Sequence, residues 1–333
     1  MTNEGEDERR GLVPMKGPQS VFSDWYQPEI AYITGNLNGL PGEIKERLAR
    51  RGWQVTVFAS EISEAFENLA GGKGSILLIE DSEELPASQV LRAQLSNPAA
   101  LLTPTIVACS PRLTERNILK EIGSPEIIDS PMNPMKFIES LEWLIRRWNT
   151  GNLSTLLKSK LTLIAKGSTA AMKMLGQLVN AKELLPLTAP CIAQLLKHQN
   201  NSKVVEKTLL NAIRENPRNV GVILATIDFY LHAAMPATAL KIIGAAKKNH
   251  GHPAIIIPEE VQTYLMLNQV ERCIPLLQQM CEAKYMPDLA KSFLTRCQFA
   301  EGYTKDFMAA IDSEPEKITQ FKSCWHKKHG VGA

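Results

Sequence analysis

No run of apolar side chains approaches the ~20 residues that a membrane-spanning helix needs. The opening residues, MTNEGEDERRG, are polar and acidic and lack the apolar core of an export signal. The expected compartment is therefore the cytoplasm. Cysteine is scarce: the six residues Cys109, Cys191, Cys273, Cys281, Cys297 and Cys324 are scattered and form no CxxC pair. In a reducing compartment they read as small buried hydrophobes. Cys324, His326 and His329 gather near the C-terminus, but Lys327 and Lys328 beside them would repel a cation, so no metal site is expected. Clustered catalytic residues are also missing. The histidines His198, His232, His250, His252, His326 and His329 fall mostly in turns or the tail. Cys109 next to Ser110 has no His near it in sequence and is expected to lack an activating cation, so it reads as inert. No catalytic residue, cofactor or enzymatic activity is expected.

What the chain does contain is an ordinary globular composition, 44% hydrophobic and 22% charged over 333 residues, enough for two domains with cores of their own. The net charge of +2 conceals an asymmetry. Residues 1–148 hold 15 Lys/Arg against 21 Asp/Glu, and residues 149–333 hold 22 against 14. The pattern changes at the same place. A basic half can bind nucleic acid, but these cations are spread along helices, and no helix-turn-helix with clustered Arg is present. A solvated helical surface is the expected reading.

Residues 1–28 lack periodicity and contain Pro14, Pro18 and Pro28, so they are expected to be a disordered tail. From Glu29 strands and helices alternate. IAYIT (30–34), QVTVFA (54–59), SILLIE (75–80), TPTIVAC (103–109) and EIID (126–129) read as strands. PGEIKERLARRG, ISEAFENLAGG, SQVLRAQL, LTERNILKEIG and NPMKFIESLEWLIRRW read as the helices between and after them. Five strands in this alternation predict a doubly wound parallel sheet. AGGKGS (70–75) is not a phosphate loop: such a loop follows a strand and opens a helix, and here the order is reversed. Four apolar residues of SILLIED run into Glu80 and Asp81, at the sheet edge where α/β proteins place their sites.

Over residues 29–148 this order and spacing resemble the receiver domain of bacterial response regulators, most closely in TPTIVACS and EIIDSPMNPMKFIESLEWLI. The resemblance implies an acidic pair after strand 1 and an Asp after strand 3 that bind Mg²⁺. It also implies phosphorylation of that Asp, a Ser or Thr after strand 4, and a Lys before a cis-Pro after strand 5. Here the acidic pair falls on Thr34 and Gly35, and the phospho-acceptor on Glu80. The hydroxyl position falls on Cys109, or on Ser110 after a one-residue shift. The Lys position falls on Ser130, before a retained Pro131, and the aromatic of strand 5 on Ile127. Phosphoryl transfer needs metal and cations around the transferring group, so the site is expected to be degenerate and unphosphorylated: a pseudo-receiver. Glu80 is then either a solvated leftover acid or a permanent negative charge that mimics the active form.

Residues 149–152 read as a linker, and 153–315 as Leu- and Ala-rich helices broken by Pro and Gly. Turns at NPRN, HGHP and YMPD space Pro217, Pro253 and Pro287 at 36 and 34 residues, with Pro186 31 residues earlier. Helix pairs at such a period resemble tetratricopeptide repeats. Three units are expected, 186–217, 218–253 and 254–287, with 153–185 either a fourth unit or a joining helix, and 316–333 a basic tail. Stacked helix pairs present a groove for a peptide or helix, for which Asn219, Asp228 and Gln262 are candidates. On the α/β half the resemblance implies a second docking face. It comprises the helix within LTERNILKEIG, the strand 126–129 and the helix 133–148, where Trp143, Arg146 and Arg147 are of hot-spot type. The whole reads as a signalling adaptor with protein partners, such as signalling, chemotaxis or motility components. The alternatives are a phosphorylated regulator using Glu80 or Asp81 and a nucleic-acid-binding output from the basic half.

Overall fold

The computed structural model describes residues 29–35, 39–59, 61–71, 76–111, 116–123, 125–197, 201–249, 253–283 and 286–313. The tails expected at 1–28 and 316–333, and with them Cys324, His326 and His329, lie outside the described residues. So do the histidines at 198, 250 and 252.

Five strands, β1 (Glu29–Thr34), β2 (Gln54–Ala59), β3 (Ile76–Glu80), β4 (Thr105–Cys109) and β5 (Glu126–Asp129), form one all-parallel sheet in the order β2-β1-β3-β4-β5. The three central strands are apolar without alternation because both faces are covered: Ile30–Ile33, Ile76–Ile79 and Ile106–Cys109 are all buried. Helices α1 (Gly42–Arg50) and α6 (Pro134–Trp148) pack together, and α2 (Ile62–Ala70), α3 (Ala87–Gln94), α4 (Pro98–Leu101) and α5 (Arg116–Glu121) form a second group. The short α4 is absent from the sequence expectation. It is a single turn opened by Pro98 and capped by the Asn97 side chain, which accepts from Ala100 N at 3.0 Å.

Only Asn149 and Thr150 separate α6 from the helical half. That half consists of antiparallel pairs: α7 (Gly151–Lys166) with α8 (Ser168–Gln177), α9 (Leu185–Leu196) with α10 (Ser202–Glu215), α11 (Val220–His232) with α12 (Pro236–Asn249), and α13 (Ile257–Met266) with α14 (Val270–Glu282), followed by α15 (Pro287–Ser313). The segment from 153 to 185 is thus largely a helix pair of its own. The pairs share a 34-residue register that the proline spacings only approximate. Ala171, Leu175 and Leu178 recur as Val205, Leu209 and Ala212, then as Ala239, Ile243 and Ala246, then as Cys273, Leu277 and Met280. All twelve are buried, because an i, i+4, i+7 stripe puts one face of every second helix inward. The turns inside two pairs repeat as well. Met235 N donates to Tyr230 O and Gln269 N to Tyr264 O, at 2.8 and 2.9 Å, around Ala234 and Asn268, whose φ values are 54° and 56°.

The row of first helices faces the α/β half. In register, Cys191, Ala225 and Glu259 lie along this seam. Cys191 Sγ stands 4.0 Å from Pro98 O, Ala225 shares a cleft with Arg92 and Leu95, and Glu259 pairs with Arg92. Gly221 meets α5 so closely that a Cβ there would lie 3.3 Å from Glu121 O and 3.4 Å from Leu95 Cδ2, a tight fit for any larger residue. Buried apolar residues of the two halves join in one continuous core across this seam.

Candidate functional site

The carboxyl edge of the sheet brings together the residues that the receiver resemblance selects. Parallel pairing puts Tyr32 beside Leu78 and Ile33 beside Ile79, so Tyr32 and Thr34 share the face of Glu80. Glu80 is not a free acid at a strand end. Tyr32 donates its hydroxyl hydrogen to Glu80 Oε2 in a short hydrogen bond, and Thr34 Oγ1 donates to the same oxygen at 2.7 Å. Both donors come from fully buried residues. Burial first, and the hydrogen bond to Glu80 second, raise the Tyr32 phenol far above its ordinary range, so it remains a donor.

Gly35, at the second position of the expected acidic pair, is packed under the loop that follows β3. A Cβ there would lie 2.6 Å from Ser82 Oγ and about 3.4 to 3.5 Å from the Cβ atoms of Glu84 and Leu85. Ser82 Oγ is itself engaged, accepting from Leu85 N at 3.0 Å. The space where a second carboxylate would stand is therefore occupied by protein. Asp81 points to the start of α3, where Oδ1 accepts from Ala87 N at 2.8 Å; burial raises its pKa and that amide lowers it.

The remaining positions lie at the ends of β4 and β5. Cys109 is fully buried, and its thiol is pushed up chiefly by burial, with Arg116 acting in the opposite direction. Ser110 is exposed. Ser130 donates its backbone N–H to Cys109 O at 2.8 Å, and the Ser130–Pro131 peptide is cis, as in the receiver pattern. Arg116, which sequence reasoning overlooked as a cation, is held by Asp129 at 2.8 Å. Mg²⁺ is not fitted by this set. Thr34, Gly35 and Ser130 offer no carboxylate, and the one retained acid already accepts from two hydroxyls.

The candidate binding residues fall in three different settings. Asn219 caps α11, its Oδ1 accepting from Val222 N at 2.9 Å. Asp228 sits between Lys197 at 3.3 Å and His232 at 3.0 Å, in a pocket that Gln194, Ser202 and Phe229 also line. Gln262 is exposed at the rim of an apolar pocket of about 340 Å³ between α13, α14 and α15, walled by Val261, Leu265, Leu277, Leu289 and Phe293. On α6, Trp143 is 42% exposed with the Arg147 guanidinium 4.9 Å from its ring centroid, and Arg146 is exposed. Trp148, five residues further along α6, is buried near the junction of the halves.

Missed in the sequence were Tyr32, whose place two residues before Thr34 on one strand face was the available signal, and the pair Arg92–Glu259. The Arg92–Glu259 pair is nearly buried, and Arg92 also donates to Ile255 O. Burial raises the Glu259 carboxyl and Arg92 opposes it. Among the described residues Glu259 Oε2 has no hydrogen-bond partner. Comparison with protein-family models, curated proteins and solved structures found no match to this chain.

Proposed function

We propose that this chain is a non-catalytic adaptor, a receiver-like α/β half without phosphoryl chemistry joined to a tetratricopeptide-like array that binds other proteins. The observation that carries the reading is the Glu80 carboxylate tied to the Tyr32 and Thr34 hydroxyls, with Ser82 beside Gly35. Hydroxyl donors stabilise a resident carboxylate; they supply neither the metal ligands nor the cation that a transferred phosphoryl group requires. The strand order 2-1-3-4-5 supports the receiver likeness. The 34-residue register supports the repeat likeness.

The array's own α/β half covers much of the first-helix row. The apolar pocket at Leu265, Leu277 and Phe293, with Gln262 on its rim, is the part of the array suited to an apolar helix of a protein partner. Signalling, chemotaxis or motility components are the partner class that the receiver likeness implies.

Intact mass after incubation with acetyl phosphate and Mg²⁺ tests the first half of this reading; no added phosphoryl group is expected. A stoichiometric, Mg²⁺-dependent gain on Glu80 or Asp81 would establish a working receiver instead. Capture from the native cell tests the second half. Leu265→Asp and Gln262→Lys should abolish it at unchanged melting temperature, and retention of capture by both variants would move the binding surface elsewhere.

A further inference from the structure

Strand β2 ends the sheet: among the described residues it pairs with β1 alone. Of its six residues only Phe58 is buried; Gln54, Thr56, Val57 and Ala59 are exposed, Val57 by 45%. The strand itself carries none of the residues that usually protect an edge, since QVTVFA contains no Lys, no Pro and no other charge. The flanks of the strand are charged with opposite signs. Arg50 and Arg51 stand exposed before it, and Glu61 and Glu64 stand exposed after it. Arg50 and Arg51 have the intrachain partners Glu46 and Glu142 at exposed sites. Among the described residues no ion pair engages Glu61, Glu64 or Glu67.

We propose that β2 joins a second copy of this chain, edge to edge and antiparallel, in a two-fold dimer that continues the sheet across the axis. This inference is independent of what the array binds. A parallel neighbour of the same sequence would set arginines against arginines and glutamates against glutamates. An antiparallel copy sets the Arg50–Arg51 end against the Glu61–Glu64 end twice, once on each side of the axis. Two-fold symmetry also limits the register. The axis stands perpendicular to the sheet, so a residue can face only a residue of the same parity. Centring on Thr56 puts Thr56 against Thr56 of the second copy, Val55 against Val57 on both sides, and Arg51 nearest to Glu61. Thr–Thr and β-branched cross-strand pairs are favourable ones. Six paired residues bury less than a standard interface, so the dimer is weak, with Kd on the order of micromolar or above.

Sedimentation of the full chain from about 1 to 500 µM brackets that range and should show a reversible monomer–dimer equilibrium. Val57→Lys should weaken it at least about tenfold with the thermal melt unchanged, because Val57 already faces solvent. Glu61→Arg and Arg51→Glu should each weaken it, and the double variant should restore it. Oxidation of Thr56→Cys should give a disulfide-linked dimer that the parent chain does not form. A chain that stays monomeric throughout, or a dimer unaffected by Val57→Lys, would overturn the proposal. So would a monomer that dimerises only after removal of residues 1–28, which would assign this edge to that segment in cis.

Discussion

Arg92 of α3 and Glu259 of α13 form an ion pair across the seam between the α/β half and the helical array, with less than a fifth of either side chain exposed. Breaking a pair this buried leaves one charge desolvated without its partner, which costs about 3–5 kcal/mol, whereas replacing both charges by apolar groups of similar volume is often neutral. Arg92→Met and Glu259→Leu should each lower the stability of the intact chain by roughly 3 kcal/mol, and the double variant should lie near the parent. Urea denaturation of all four proteins gives the coupling; additive single effects would show that the pair does not join the halves.

The Thr34 and Tyr32 hydroxyls should each matter through Glu80. A hydrogen bond to a charged acceptor contributes about 1.5–3 kcal/mol. Thr34→Val and Tyr32→Phe are therefore expected to destabilise by that order, and much less so in a Glu80→Gln background. Equal losses in both backgrounds would mean that the hydroxyls act elsewhere.

Gly35→Ala tests the packing over the sheet edge. The new methyl meets Ser82 Oγ, which cannot turn away without leaving Leu85 N. A loss of about 1–3 kcal/mol is expected, the usual cost of overpacking. Ser82→Gly should recover part of it, so the double variant should be more stable than the sum of the singles.

Lys160 provides a pH signature. Burial lowers its ammonium pKa to about 7 in the folded protein. Between there and the ordinary lysine range of about 10.4 the unfolded chain holds the proton that the folded chain has released, so stability rises with pH across that window. The buried thiols of Cys191 and Cys273 are raised, Cys273 to about 12, and act in the opposite sense once unfolded thiols ionise. Denaturant midpoints should therefore rise from pH 7 to 8.5 for the parent, by less than Lys160 alone would give, and fall for Lys160→Met, in which the thiols act alone. A parallel increase in the variant would remove Lys160 as the cause.

Strands were readable from composition because β1, β3 and β4 are covered on both faces and carry uninterrupted apolar runs. Helix pairs were readable from turn punctuation, yet the true 34-residue register lies in buried stripes such as Val205, Leu209 and Ala212. Prolines occupy different steps of each turn and blur that register. The engagement of Glu80 was half legible: strand alternation places Tyr32 and Thr34 on one face, but only the pairing of β1 with β3 brings Glu80 between them. Arg92 and Glu259 are separated by 167 positions, and no local pattern signals a partner at that distance. Trp143 and Trp148 carry identical side chains five residues apart on α6. Helix periodicity separates them: Trp148 continues the buried stripe of Phe137, Leu141 and Leu144, and Trp143 falls outside it.

Because the first-helix row rests on α3, α4 and α5 of its own chain, any outside ligand for that row meets a competitor that never diffuses away. Tethered groups of this kind act at effective concentrations on the order of millimolar. If the seam stands open in one molecule in about a thousand, an outside ligand's apparent affinity for the row falls about a thousandfold. Weakening the seam from the α/β side, at Arg92, would raise that affinity without changing a residue of the row that the ligand touches.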